Sequence, residues 1–225
     1  MSGSKGKYSN LPQKTRVIRI CGSTLIILGV LILGYAGVQK AIVRHYQEEL
    51  KKAYEDSFYE IPDAENYRRV ILTEWQPARL QIPKLGVDLM VLEGDVFDDE
   101  LLNKGPVHFA NVVDKTTGAV LIEGDLPGTE PGNVAIAGHR GARWGFFTDL
   151  DRLAEGDELY LDTAGYRFTY LVEWVRIVDP YDWGVIESTD YPALTLQTCE
   201  PKTGAPTHRL IVRSALKEVS RAPQP

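Results

Sequence analysis

The feature that most constrains this chain is an uncharged apolar run near its amino terminus. Residues 20–38 (ICGSTLIILGVLILGYAGV) are 19 consecutive residues without a charged side chain or a histidine. An α-helix needs about 20 such residues to cross a hydrocarbon layer about 30 Å thick. We therefore predict one transmembrane helix at residues 20–38, which separates a tail at residues 1–19 from a larger folded body.

A cleaved signal peptide is the alternative interpretation of the run. The apolar region of a signal peptide usually has about 7–15 residues and ends at a small-x-small cleavage site. Residues 36–39 (AGVQ) match such a site only weakly. A retained membrane anchor is therefore favoured over a cleaved leader.

The charges that flank the run predict its orientation. Residues 1–19 contain five Lys and Arg and no acid, whereas Lys40 and Arg44 beyond the run are offset by Glu48 and Glu49. Positively charged flanks stay on the cytoplasmic side of a membrane. We expect a single-pass plasma-membrane protein with a cytoplasmic amino terminus and an extracellular body.

The body is acidic. The 225 residues contain 25 Lys and Arg against 31 Asp and Glu, and removing the five basic residues of the tail leaves 20 against 31, a balance of −11. This balance excludes an ordinary basic nucleic-acid binder, and we expect no nucleic-acid partner. The content of 44% hydrophobic and 25% charged residues is typical of a globular domain.

Residues 39–76 are predicted to form a helical stalk or linker. Apolar residues recur every four positions at Tyr46, Leu50 and Tyr54, which is the spacing of one helix face. Pro62 is expected to lie beyond the helix end. We interpret this segment as a spacer, and the alternative is a helix that covers part of a functional surface.

Residues 77–219 are predicted to form a mainly β domain, followed by a tail at residues 220–225. Short segments rich in β-branched and aromatic residues alternate with Gly, Pro and Asp, which is typical of strands and turns. Eight strands with few helices favour a closed or nearly closed antiparallel barrel, because closure removes exposed edges. The predicted strands are residues 78–82, 87–92, 119–122, 133–138, 158–162, 166–178, 194–198 and 209–215, and the predicted short helices are residues 98–103 and 146–153.

Three reactive side chains stand at the ends of predicted strands. Cys199 ends one strand, Arg209 begins the next, and His139 follows an earlier apolar strand. If the strand that ends at Cys199 and the strand that begins at Arg209 are antiparallel neighbours, the hairpin between them brings these two residues side by side. Cys21, at the cytoplasmic end of the predicted span, cannot pair with Cys199. A lone cysteine on an apolar strand is commonly a buried hydrophobic residue, but this combination favours a shared site.

These residues resemble the signatures of sortases, the membrane-anchored cysteine transpeptidases of Gram-positive bacteria. Residues 195–199 (TLQTC) resemble the cysteine motif, residues 137–140 (AGHR) the histidine strand and residues 209–212 (RLIV) the arginine strand. The similarity extends from about residue 78 to residue 216. It implies an eight-stranded sortase-type β-barrel preceded by one transmembrane helix.

The resemblance also implies a mechanism and partners. Cys199 would attack the Thr–Gly bond of a sorting signal on a surface protein, His139 would protonate the leaving amine, and Arg209 would hold the oxyanion or the substrate backbone. A cell-wall peptidoglycan amine, from a lipid II-type precursor, would then resolve the thioacyl enzyme. Signals of the LPXTG, LAXTG and LPXTA types all stay open, and so does the choice between classes D and E.

Three further residues are candidates for substrate binding: Thr198, His108 and Trp144. Each has a structural alternative. Thr198 could be an ordinary cross-strand residue, His108 a packed or helix-capping histidine, and Trp144 an aromatic of the core or rim. Residues 179–192 occupy the position where sortases build the pocket for the sorting signal. Their acids are oxygen ligands suited to calcium, although a charged surface loop is favoured, so we expect no cofactor and no metal site.

Other functions fit the sequence less well. A pilus-building sortase commonly carries an inhibitory Asp-Pro-aromatic lid before the barrel, whereas residues 179–181 (DPY) lie after the histidine strand. A non-catalytic membrane-anchored barrel that binds sorting-signal peptides would not need all three reactive residues. The context of Cys199 disfavours an L,D-transpeptidase, and the scattered histidines disfavour a metal hydrolase.

Overall fold

The computed structural model describes residues 13–57, 69–114, 116–141 and 145–224. The chain forms two compact units, Met1–Arg44 and His45–Pro225. The predicted boundaries at residues 19, 38, 76 and 219 divide the chain differently and stay predictions.

The first unit is the amino-terminal part of helix α1, Gln13–Ser57. This helix contains an 18-residue window with a mean hydropathy of 2.3, none of which is buried within the protein. Leu25, Ile26 and Leu33 are among its exposed apolar side chains. Such a helix is long and apolar enough to cross a membrane, which is compatible with a single-pass anchor. Its predicted orientation stays a prediction.

The second unit contains a closed barrel of eight strands in the order β1-β2-β3-β6-β9-β10-β8-β7. A separate two-stranded sheet pairs β4 with β5. A four-residue helix, α2 (Asp99–Leu102), links β2 to β3. The strands are β1 (Ala78–Ile82), β2 (Val87–Gly94), β3 (Val107–Phe109), β4 (Asn111–Val113), β5 (Val120–Glu123), β6 (Gly132–Ala137), β7 (Glu158–Thr163), β8 (Tyr166–Val178), β9 (Pro192–Glu200) and β10 (His208–Arg221).

Alternation along the strands builds the core of the barrel. In β1, Ala78, Leu80 and Ile82 are buried, while the two residues between them are partly exposed. This two-residue period places every second side chain on the inner face. Strand β6 differs because all six of its residues are buried, including the polar Asn133.

The fold class predicted from the sequence is confirmed, but the strand assignments needed two corrections. The predicted strand at residues 119–122 corresponds to β5, which pairs with β4 outside the barrel. Its place in the barrel is taken by β3, whose three residues are too few to show a period of two. The predicted helix at residues 146–153 is reduced to one 3₁₀ turn, Leu150–Arg152.

The prediction that the barrel is antiparallel is wrong for two strand pairs. Strand β2 pairs with β3 in parallel, and β6 pairs with β9 in parallel. Parallel neighbours need long crossover connections, which the stretches between β2 and β3 and between β6 and β9 supply. The parallel β6–β9 pair matters for function because both strands end at the same rim.

The last three turns of α1 belong to the second unit and pack on the barrel. The Gln47 amide donates to the carbonyl oxygens of Met90 (3.2 Å) and Lys104 (3.1 Å), and its oxygen accepts from the Met90 N–H (2.8 Å). The Tyr54 side chain is buried, with 1% of its surface exposed. This part of the predicted stalk is therefore attached to the barrel, although the sequence favoured a spacer.

Candidate active site

A cavity of about 230 Å³ opens at the rim where β6, β9 and β10 meet. It contains a thiol, an imidazole and a guanidinium group, together with one carboxylate and three aromatic rings. The lining residues are Val96, Phe97, Asp99, Leu102, Phe109, Ala137, Gly138, His139, Trp183, Gln197, Thr198, Cys199 and Arg209.

The β9–β10 ladder positions two of the reactive groups. Cys199 of β9 lies directly opposite Arg209 of β10 in antiparallel register. Directly opposed residues of an antiparallel pair point to the same face of the sheet, with Cβ atoms about 5 Å apart. The Arg209 Nη1 atom donates to the carbonyl oxygen of His208 at 3.1 Å, which uses one of its five N–H donors.

The parallel β6–β9 pair brings the histidine to the same rim. Ala137 at the end of β6 lies opposite Gln197, and the Gly138 N–H donates to the Gln197 carbonyl oxygen at 3.0 Å. His139 lies two residues after Ala137, and Cys199 lies two residues after Gln197. Both residues line the cavity. The structure brings His139, Cys199 and Arg209 together in one cavity, as the sequence predicted.

The surroundings of His139 favour its neutral form. Burial of the imidazole lowers the pKa of His139 below its usual value, because desolvation penalises the charged ring. The carboxylate of Asp99, across the cavity, acts in the opposite direction and raises the pKa of His139. A neutral imidazole accepts a proton, and its conjugate acid returns one, which is the behaviour of a general base and acid.

Thr198 directly precedes Cys199 on β9. Its side chain is buried, lines the cavity, and its hydroxyl donates to the Gly138 carbonyl oxygen at 2.7 Å. This bond ties the end of the histidine strand to the end of the cysteine strand. Thr198 therefore has a structural role in addition to its predicted contact with substrate.

The structure does not bring His108 to the cavity. Its ring is 1% exposed, stacks on Trp75 with 4.1 Å between ring centroids, and its Nε2 atom lies 2.9 Å from the Asp125 carbonyl oxygen. Burial lowers the pKa of His108 to about 4. His108 is therefore a neutral core histidine at physiological pH.

Aromatic residues line the cavity, and the predicted contribution of Trp144 stays a prediction. Trp144 lies outside the described residues. Phe97 and Trp183 meet edge to face, with 5.8 Å between ring centroids. Sequence reasoning missed Phe97, Asp99 and Trp183, but Trp183 belongs to the segment after β8 that the family resemblance had indicated.

The connection between β8 and β9 is fixed to the barrel by buried polar groups. The Asn133 amide donates to the carbonyl oxygens of Val185 (3.2 Å) and Glu187 (3.1 Å). The Arg213 guanidinium also donates to the Val185 carbonyl oxygen, at 2.7 Å. Among the residues that the structure describes, no group of three or more His, Cys, Asp or Glu is placed to hold a metal ion.

Comparison with known proteins agrees with this geometry. A family model described as the sortase domain matches residues 80–217. Sortase A of Bacillus anthracis is 28% identical over 201 residues, covering 83% of this chain and 88% of that protein. Sortase D of Bacillus subtilis is 30% identical over 123 residues, covering 54% of this chain and 53% of that protein.

Solved structures agree at the level of the fold. The sortase D5 transpeptidase of Clostridium perfringens superposes with a TM-score of 0.56 at 24% identity, covering 79% of this chain and 99% of that one. The family model covers more than half of the chain and includes all three reactive residues of the cavity. The chain therefore belongs to the sortase family of cysteine transpeptidases.

Proposed function

We propose that this protein cleaves an LPXTG-like sorting signal through a thioacyl intermediate on Cys199 and joins the released carboxyl group to a peptidoglycan amine. The observation that carries the proposal is the meeting of Cys199, His139 and Arg209 in one cavity. Sortase family membership supports this class of chemistry in general.

The first half-reaction forms a thioester. The Cys199 thiolate attacks the carbonyl carbon of the signal's threonine, because a thiolate is a strong nucleophile and a thiol is not. At reference pKa values of about 8.5 and 6.5, only roughly 1% of isolated pairs hold thiolate and imidazolium together. The His139 imidazolium then donates its proton to the leaving nitrogen as the C–N bond breaks.

The second half-reaction transfers the acyl group. Neutral His139 takes a proton from the incoming amine, whose nitrogen attacks the thioester carbonyl. The C–S bond breaks, and the Cys199 thiolate is restored as the new amide forms. The low pKa of His139 suits this step, because it keeps the ring available as a base near neutral pH.

Arg209 stabilises the charge that develops during both steps. Its guanidinium lies opposite Cys199 in the ladder, within reach of an oxyanion or of the substrate backbone. A donor held in place for the developing charge typically contributes about 10²–10³ in rate. Arg209 also stabilises the thiolate itself, because it carries a permanent positive charge.

The cavity suits an extended peptide rather than a polar small molecule. Phe97, Leu102 and Phe109 supply apolar lining, and Cys199, His139 and Arg209 supply polar groups. We infer an LPXTG, LAXTG or LPXTA signal on a surface protein and a lipid II-type peptidoglycan amine as the acceptor. The amino terminus is cytoplasmic and the barrel extracellular in this proposal, and the enzyme anchors single proteins as classes D and E do.

The test is transpeptidation by the full-length protein in detergent, with LPXTG, LAXTG and LPXTA peptides and a glycine or diaminopimelate-type amine. Cys199→Ala and His139→Ala are expected to abolish product, and Arg209→Ala to lower kcat by about 10²–10³ with a smaller change in KM. His208→Ala is the matched control, because His208 is exposed and is not among the residues that line the cavity. Wild-type rates in any of the three variants would overturn the role assigned to that residue.

A further inference from the structure

Arg140 directly follows His139 in the chain, yet its side chain turns into the protein. Its side chain is 3% exposed. The Nε atom donates to the Thr148 carbonyl oxygen at 3.3 Å, and Nη2 pairs with the Asp151 carboxylate at 2.9 Å. Nη1 donates to the Cys199 carbonyl oxygen at 3.3 Å and to the Glu200 carboxylate.

The contact with Cys199 fills a gap in the sheet. Carbonyl groups two residues apart on one strand point to the same side, so the Cys199 carbonyl faces β6, as the Gln197 carbonyl does. Gln197 receives the N–H of Gly138. Strand β6 ends at Ala137, so no residue of that strand lies opposite Cys199. The Arg140 guanidinium supplies the donor that a longer strand would have supplied.

The same guanidinium connects the stretch at residues 148–151 to the end of β9. It binds the loop at Thr148, the 3₁₀ turn that contains Asp151, and the end of β9 at Cys199 and Glu200. A planar guanidinium holds several acceptors in a fixed arrangement, which an ammonium group does not. The backbone of the histidine strand is thus attached to the backbone of the cysteine through the side chain adjacent to His139.

We propose that Arg140 is a positioning residue that fixes the backbone of Cys199 relative to His139. The inference rests on the proposed function, because it concerns the geometry of the same thiol and imidazole. Arg140 is not among the residues that line the cavity, so it acts through Cys199 and His139, which are. Loss of the bond would let the end of β9 shift, and a misplacement of about 1 Å can cost about 100-fold in rate.

The test compares variants of the full-length protein in a Cys21→Ser background, so that only one thiol reacts with alkylating agents. Arg140→Met removes all donors and keeps the apolar stem. Arg140→Lys keeps the charge but holds fewer acceptors. Arg152→Met is the matched control, because Arg152 lies in the same region, is 63% exposed and pairs only loosely with Asp149, at 3.7 Å.

The first readout is peptide turnover per active site. We expect Arg140→Met to lower kcat by about 100-fold with KM within about twofold, and Arg140→Lys to lower it by about tenfold. Arg152→Met is expected to turn over at the wild-type rate. Wild-type kcat in folded Arg140→Met, with only a lower melting temperature, would overturn the inference, since that result describes a structural ion pair.

The second readout does not depend on the peptide. The rate of Cys199 alkylation by iodoacetamide, measured from about pH 5 to about pH 9, reports how the thiol is coupled to His139. We expect the Arg140→Met profile to move to that of His139→Ala, and the Arg140→Lys profile to lie between it and wild type. Superposable wild-type and Arg140→Met profiles would overturn the inference.

The two readouts separate this inference from the proposed function. A wild-type protein that alkylates normally but transfers no peptide would contradict the proposed function, while the alkylation profiles would still decide the role of Arg140. If Arg140→Met does not melt cooperatively, Arg140→Lys decides both readouts, and a wild-type kcat and profile in that variant would overturn the inference.

Discussion

The hydroxyl of Thr198 donates a hydrogen bond of 2.7 Å to the carbonyl oxygen of Gly138, which joins the residue before Cys199 to the residue before His139. Both residues line the cavity, and Thr198 is buried. The bond therefore sets the separation of the two strand ends that carry Cys199 and His139.

Replacing Thr198 by valine should lower both stability and activity. The substitution keeps the side-chain shape and leaves the Gly138 carbonyl without its donor, at a cost of about 1–3 kcal/mol. We expect a lower melting temperature and a reduced kcat, measured by thermal unfolding and peptide turnover. Thr203→Val, on an exposed loop, is the control. An unchanged melting temperature in Thr198→Val would contradict this account of the bond.

The attachment of α1 to the barrel through Gln47 should contribute measurably to stability. Gln47→Leu leaves the Met90 N–H and two carbonyl oxygens without their partner, and we expect a loss of about 1–3 kcal/mol. Denaturant unfolding of the full-length protein measures this loss in the free energy of unfolding. Glu48→Leu, on the exposed side of the same helix, should change stability by about 0.5 kcal/mol or less. Equal effects of the two substitutions would show that the attachment is dispensable.

His108 should make the protein less stable in acid. Its pKa is lowered to about 4 by burial, so the unfolded chain binds a proton at a higher pH than the folded chain does. Stability should therefore be full above about pH 6.5 and fall by up to about 3 kcal/mol as the pH drops towards 4. His108→Gln keeps an N–H donor for Asp125 and does not titrate. The free energies of unfolding of the wild type and of His108→Gln should converge as the pH falls towards 4. Parallel pH dependences of these two free energies would refute the description of His108 as a buried neutral histidine.

Turnover should not require calcium. The acids of the connection between β8 and β9 include Asp179, Asp182 and Glu187, which suggested a calcium site as an alternative. Asn133 and Arg213 already hold this connection through the carbonyl oxygens of Val185 and Glu187. We expect the same kcat and KM in EGTA and in millimolar calcium. A calcium-dependent fall in KM would mean that the segment is ordered by the ion instead.

The sequence predicted the parts of the fold that depend on local pattern. Strands β1 and β8 have the predicted bounds, and in β1 the side chains alternate between the core and partly exposed positions. Strand β3 was missed because three buried residues carry no detectable period. The parallel partner of β9 was also missed, since pairing between distant strands is a tertiary choice.

The candidate site was predictable as far as its residues follow strand ends. Cys199 and Arg209 are close in sequence, so a hairpin was enough to bring them together, whereas His139 was placed beside them from its position at a strand end and received its role from the family resemblance. Phe97 and Asp99 reach the cavity from the β2–β3 crossover, which no local pattern connects to β9. The contacts of Arg140 could not be predicted from the sequence, because two of its acceptors lie on β9, 59 and 60 residues later in the chain.

Intact-protein and peptide mass spectrometry on the enzyme incubated with a sorting-signal peptide tests the central claim most directly. The account predicts a thioacyl adduct on the tryptic peptide that contains Cys199, which disappears as ligated product forms when an amine is added. The Cys199→Ala protein should carry no adduct, and Cys21 should stay unmodified in both. Ligated product formed by Cys199→Ala, or an acyl adduct located on another residue, would contradict the account.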